Sequence, residues 1–114
     1  MISILKVLPL PGNRDAVLDI LRSVIDLILG QPGCLACSCY EEHDDSSRAV
    51  LYVEQWASKE ALYRHIRSSL YRRVISVMEL ADKAPEIRFF EVAQPMGMEL
   101  IEALRADALA PGAP

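Results

Sequence analysis

Ala49-Val50-Leu51-Tyr52-Val53-Glu54-Gln55-Trp56, followed by Ala57-Ser58 and then Lys59-Glu60-Ala61-Leu62-Tyr63-Arg64-His65, is the stretch that decides how this 114-residue chain folds. Alternation along its first eight residues puts Leu51 and Val53 on one face and Val50, Tyr52, Glu54 and Trp56 on the other. Neither face is simply polar. Ser58 is placed to cap a helix, and Glu60 in the first turn complements the helix dipole. The segment therefore reads as a strand feeding a helix. It holds the only Trp and one of the two His of the chain, and Glu54 shares a face with Trp56. A functional site is expected here.

Working outward, residues 1–8 read as a strand with Ile2, Ile4 and Leu8 on one face and Leu5 and Val7 on the other. Pro9-Leu10-Pro11-Gly12 breaks it, and Asn13 is a candidate cap for the helix after it. Over 14–29 the period is helical: Val17, Leu21, Val24 and Ile28 form a stripe flanked by Leu18, Ile20, Ile25 and Leu27. Gly30 and Pro32 stop it. A second strand spans 34–42, and His43-Asp44-Asp45-Ser46-Ser47-Arg48 is turn chemistry, so strands two and three form an antiparallel hairpin. Beyond His65, Ser68-Ser69 kinks or restarts the helix, with Leu70, Val74, Val77, Met78 and Ala81 inward. Residues 87–92 form a fourth strand with Phe89 and Phe90 on opposite faces. A last amphipathic segment spans 98–109, and 110–114 should fray.

The totals narrow the class. A chain of this length is one domain, here divided into a body over 1–93 and a C-terminal extension over 94–114. Its hydrophobic content of 52% exceeds what a small domain usually carries. The apolar runs are too short and too often interrupted by charge to span a bilayer, so the surplus is expected to cover a partner chain, not lipid. A net charge of −4 argues against nucleic acid, which attracts a basic face. With no basic-then-apolar leader pattern at Met1, the expected location is the cytoplasm. Cys34, Cys37 and Cys39 include a CxxC spacing, yet the spacing falls in a strand pattern and only His43 is near. Metal ligation is therefore not expected, and the three read as small buried thiols in a reducing compartment. Alternation puts Cys37 and Cys39 on one face with Leu35, and Cys34 on the other.

The order β-α-β-β-α-β plus a terminal helix is the ferredoxin-like α+β arrangement, with a four-stranded antiparallel sheet. Helices cover one sheet face; the other is expected to carry Tyr40, Tyr52, Trp56 and either Phe89 or Phe90, too apolar to leave in water. Two sheets packed face to face would bury it, so a homodimer is expected. The terminal helix, too short to persist in isolation, is expected to dock on its own body or across that dimer.

Pro32-Gly33-Cys34, Glu54-Gln55-Trp56-Ala57-Ser58-Lys59-Glu60-Ala61-Leu62, His65 and Ser68-Ser69 together resemble the antibiotic biosynthesis monooxygenase (ABM) domain, over roughly residues 1–92. The resemblance implies a dimeric α/β barrel of ferredoxin-like subunits. It implies a cofactor-independent monooxygenase acting on a small aromatic such as a quinol, in which the substrate's own electron-rich ring activates dioxygen inside a dry pocket. A non-catalytic dimeric module binding a small hydrophobic ligand is the alternative, and haem degradation a third. The better-understood enzymes of the family use a pocket Asn, whereas the one Asn here is Asn13, in a turn. Haem-degrading relatives carry a His after the kink, where this chain has Leu70-Tyr71-Arg72-Arg73-Val74-Ile75.

Glu54 and His65 are the candidate catalytic residues. His65 has the chemistry to orient or deprotonate a phenol. A carboxylate on a mostly apolar face needs a partner, either an Arg or His65, and it would serve as base or as half of a structural pair. Trp56, Tyr40, Tyr52, Tyr63 and Tyr71 are the candidate substrate-binding residues. Each has a structural alternative as a core aromatic with its polar end at the rim.

Overall fold

The computed structural model describes residues 1–43 and 48–109. Its elements are β1 (Ile2–Val7), α1 (Arg14–Leu29), β2 (Cys34–Glu41), β3 (Val50–Trp56), α2 (Lys59–Ile66), α3 (Ser69–Ser76), β4 (Glu86–Phe90) and α4 (Met98–Leu109), with a 3-10 turn at Val77–Leu80. The strands form one antiparallel sheet in the order β2-β3-β1-β4, the ferredoxin-like α+β fold expected from the sequence. Most of the expected hairpin turn and all of 110–114 lie outside the described residues. The fourth strand ends at Phe90, two residues earlier than the apolar pattern suggests, and both Phe89 and Phe90 stay nearly half exposed along this edge.

Apolar stripes dock the helices on one sheet face. Val17, Leu18, Leu21, Val24 and Ile28 of α1 are buried, with Ala61, Leu62 and His65 of α2 and Tyr71 and Val74 of α3. From the sheet they meet Leu5, Val7, Val50, Tyr52 and Trp56. Tyr52 and Trp56 therefore lie under the helices, not on the open face where they were expected. Alternation separates two faces but does not say which one the helices take; the polar ends of these two side chains both reach Glu54, which is fully buried. The open face carries Ile2, Ile4, Leu51, Val53, Tyr40 and Phe90, opposed in register across the strands.

Three local readings change. A bulge between Cys34 and Ala36 shifts the pairing so that Cys34, Cys37 and Cys39 oppose Trp56, Glu54 and Tyr52, all on the helix-covered side. Leu35 is turned out and is 65% exposed. Asn13 does not cap α1 with its side chain: its backbone is in the helical region, with φ −100° and ψ −3°, not the extended geometry from which a side chain reaches back. Ser58 does cap α2, accepting from the Ala61 amide at 3.1 Å, and Ser68 caps a restarted α3 by accepting from Tyr71. The terminal helix α4 buries none of its described residues, and Ile101 and Leu104 are both more than half exposed.

Gly33 sets the approach of α2 to the sheet. Its φ is +85°, and a Cβ built there would lie 2.5 Å from the Ala61 Cβ. The Gly33 carbonyl also accepts the Ala57 amide at 2.8 Å. Ala61 and His65 are one helical turn apart on the same face of α2, so this close contact lowers His65 onto the sheet. We expect Gly33→Ala to cost about 3 kcal/mol, combining a strained backbone with overpacking. Gly12→Ala, where φ is +87° but nothing lies within 4 Å, should cost about 1 kcal/mol from the backbone alone. Urea unfolding of both variants checks the ordering.

Candidate active site

The Glu54 side chain is completely enclosed and accepts from three directions. The Trp56 indole N–H donates to Oε1 at 2.9 Å, and the Tyr52 hydroxyl donates to Oε2 at 2.5 Å. Nε2 of His65 lies 2.9 Å from the same Oε2. Tyr52, Glu54 and Trp56 alternate along β3 and so share a face, while His65 comes down from α2. Behind Tyr52, the Cys37 thiol donates to its hydroxyl at 3.2 Å. Hydrogen bonds to a charged acceptor are worth about 1.5–3 kcal/mol each, and here they replace the water that the enclosed carboxylate has lost.

The tautomer of His65 is tied to the state of Glu54. Indole N–H only donates, and an ionised Glu54 accepts from Trp56, Tyr52 and Nε2 together only when Nε2 carries a hydrogen. In a neutral ring so held, Nδ1 is the acceptor nitrogen. The ring is held flat by Trp56, stacked at 4.6 Å between centroids and 28° between planes, and edge-on by Tyr71 at 5.0 Å and 87°. Nδ1 has no partner among the described residues. His65 lines a cavity of about 100 Å³ together with Gln31, Pro32, Trp56, Ala61, Arg64 and Ser68. Pro32 and Arg64 are exposed, so the cavity reaches the surface.

Burial shapes the acid groups around the carboxylate. Burial first, then the charge of Glu54, pushes the Tyr71 hydroxyl up to about 12 and the Tyr52 hydroxyl well above its ordinary value. Burial also raises the Cys37 thiol to about 12, against the opposing hydrogen bond to Tyr52. Among the described residues no cluster of His, Cys, Asp and Glu is arranged to hold a metal ion.

Residues 1–76 match the family model for antibiotic biosynthesis monooxygenase (ABM). This chain belongs to the ABM family. The ABM fold recurs in Rv0793 from Mycobacterium tuberculosis, 24% identical, with a TM-score of 0.69 over 82% of this chain and 97% of that one. A conserved protein from Methanosarcina mazei Go1 is also 24% identical, with a TM-score of 0.70 over 79% and 90%. A structure of an antibiotic biosynthesis monooxygenase, 19% identical, superposes with a TM-score of 0.69 over 82% of this chain and the whole of that one. At the sequence level the protein sll1783 of Synechocystis sp. is 22% identical over 85 residues, 74% of this chain. This chain spans 57% of the length of that relative.

Within this ABM fold the sequence candidates divide. Glu54, His65, Trp56, Tyr52 and Tyr71 come together as one buried cluster. Of the candidates only Trp56 and His65 line the cavity; Glu54, Tyr52, Tyr71, Tyr40 and Tyr63 do not. Tyr40 opposes Leu51 on the open sheet face, and Tyr63 is 45% exposed on the wet side of α2. Sequence reading missed Gln31, Arg64, Ser68 and the coupling of Cys37 to Tyr52. Gln31 sits in Gly30-Gln31-Pro32-Gly33, which signals only a helix stop. Arg64 and Ser68 flank His65 at spacings that become a wall only once α2 is laid on the sheet.

The buried acids predict how stability responds to alkali. Above their ordinary values of 9.0 for the thiol and 10.0 for the phenol, the unfolded chain releases protons that folded Cys37 and Tyr71 keep up to about 12. The unfolded state then binds fewer protons, so the stability these two groups supply is level below pH 9 and falls as pH rises from 9 toward 12. Denaturant midpoints across that range should decline, and Tyr71→Phe should flatten the part above pH 10. A midpoint unchanged to pH 11 would contradict it, being within about one unit of the raised values.

Proposed function

We propose that this ABM-family protein is a cofactor-independent monooxygenase acting on a single-ring phenol or quinol, with His65 as the proton acceptor. The observation that carries the reading is a carboxylate-backed imidazole whose second nitrogen has no partner among the described residues, on a residue that lines a cavity. Glu54 holds the Nε2 hydrogen and so fixes the tautomer, the same division of labour by which a carboxylate orients a catalytic His elsewhere. Nδ1 takes the substrate's hydroxyl proton. The electron-rich phenolate then reduces dioxygen, which is the co-reactant. For a dihydroxybenzene, one ring and one dioxygen give one hydroxyquinone and one water. One oxygen atom forms the new carbon–oxygen bond, the bond between the two oxygens breaks, and the other oxygen leaves as water with two of the ring's hydrogens. The ring supplies all the electrons.

The size of the cavity supports a small substrate. A cavity of roughly 150 Å³ encloses benzene, so about 100 Å³ takes the hydroxylated edge of one ring and leaves the rest toward the mouth. A larger groove of about 410 Å³ lies beyond Trp56, between Met1, Ile2, Leu35, Val92 and Pro95. None of its lining side chains is titratable.

We further propose that two copies pack through their open sheet faces to form the dimeric barrel. Ile2, Ile4, Leu51, Val53 and Phe90 supply the apolar surface, and α4 buries none of its described residues. Among the described residues no helix is long and apolar enough to cross a membrane. The three unpaired thiols suit the reducing cytoplasm.

Oxygen uptake with a panel of monocyclic quinols tests the activity. The intact protein should turn over at least one of them, and His65→Ala should slow it by at least about 100-fold, the scale of lost general-base assistance. Unchanged uptake in that variant would make His65 structural. For the assembly, the solution mass at micromolar concentration should be twice the 12.7 kDa of one chain; a mass equal to one chain contradicts the barrel.

A further inference from the structure

Tyr52 is buried and does not line the cavity beside His65, so the substrate contact expected of it from the sequence does not occur there. Its hydroxyl nevertheless ends on the same atom as the imidazole. Oε2 of Glu54 receives the Tyr52 O–H at 2.5 Å and faces Nε2 of His65 at 2.9 Å, while the Trp56 indole goes to Oε1. One carboxylate oxygen thus serves two donors. Both arrive inside the core, where no water competes for it: Glu54 has no exposure and His65 only 2%.

The two bonds are unequal. A hydroxyl donating to a carboxylate oxygen spans about 2.5–2.7 Å, and a charge-assisted N–H about 2.7–2.9 Å. The Tyr52 bond lies at the short end of its range and the His65 bond at the long end of its own. Both draw on the electron density of one oxygen, so what one donor takes the other loses. Tyr52 is itself pulled from behind. The Cys37 thiol donates to its oxygen at 3.2 Å, and strand register brings it there, with Cys37 opposite Glu54 on β2. A hydroxyl that accepts one hydrogen bond donates the next more strongly, by roughly 10–30%.

We propose that Tyr52 is a positioning residue for the base: through Glu54 Oε2 it limits how strongly the carboxylate draws on the Nε2 hydrogen of His65, and Cys37 sets how firmly Tyr52 does so. The inference rests on the reading of His65 as proton acceptor, with Glu54 ionised. A carboxylate that draws on Nε2–H pushes electron density through the ring toward Nδ1. Tyr52 therefore governs the acceptor strength of the nitrogen that the proposed chemistry uses, without touching the substrate. Removing its hydroxyl leaves Oε2 to His65 alone. Changing Cys37 alters only the donor strength of that hydroxyl, a smaller effect acting through one more bond.

The test is proton–nitrogen NMR of the imidazole in the ligand-free protein, at one neutral pH for all variants. It reads the Nε2 hydrogen, whose proton resonance moves downfield as its hydrogen bond strengthens. Tyr52→Phe should move it downfield. Cys37→Ala, which removes the pull on Tyr52, should move it the same way by less, and Cys37→Ser, a stronger donor, should move it upfield. The Cys37 variants leave every partner of Glu54 in place, so their opposite shifts carry the test if Tyr52→Phe does not fold. A resonance unmoved by these changes, a different order, or no hydrogen on Nε2 would overturn the assignment. If the resonance follows this order but no quinol consumes oxygen, the monooxygenase reading fails and the positioning role stands. If oxygen uptake depends on His65 while the resonance ignores Tyr52 and Cys37, the reverse holds.

Discussion

The structure depends on one carboxylate removed from water. Glu54 lies at the centre of a small domain with no exposure at all, a position that is costly for a charge unless every lone pair is met. Trp56, Tyr52 and His65 meet them. Each of these three is thereby fixed in turn, and the Cys37 thiol is tied on behind Tyr52. Replacing the cluster by well-packed apolar residues would serve stability at least as well. What the carboxylate adds is a defined ring orientation for His65, with one nitrogen committed and the other available.

Backbone geometry makes that cluster possible. Three alternate residues of one strand supply the carboxylate and two of its donors, so their relation is built into the strand. The third donor comes from a helix and needs a close approach, which Gly33 permits by having no Cβ where Ala61 sits. The bulge between Cys34 and Ala36 then turns the small cysteine side chains of β2 under the same helices. Small side chains beside bulky Trp56 and Tyr52 let the layers close. The cavity is what remains between the end of α1, the start of β2 and the restart at Ser68.

Much of this was legible in the sequence, for reasons that can be named. The element order followed from periodicity and from breakers at Pro9, Gly30 and Pro32, because apolar spacing and turn chemistry are local signals. Glu54, Trp56 and His65 stood out because a carboxylate on a greasy strand needs a partner. Their face did not: alternation is symmetric between the two sides of a sheet, and the helices cover the side opposite to the one expected. The bulge defeated the cysteine assignment, since one extra residue reverses every later alternation. Gln31 was hidden for a different reason. Its place on the cavity wall comes from where a turn carries it in space, and a Gln between Gly30 and Pro32 looks like any helix terminus. Tyr40 and Tyr63 show the converse, being aromatics whose elements carry them away from this cavity.

The central claim is that Glu54 fixes His65 with its hydrogen on Nε2 and leaves Nδ1 as an acceptor with no partner among the described residues. Nitrogen-15 NMR of the imidazole in the intact protein, assigned through Trp56 and with Glu54→Gln as comparison, reads this directly. The account predicts a hydrogen-bearing Nε2 and a bare Nδ1 in the ligand-free protein, with that pattern lost or mixed in Glu54→Gln. A hydrogen on Nδ1, with Nε2 bare, would contradict it.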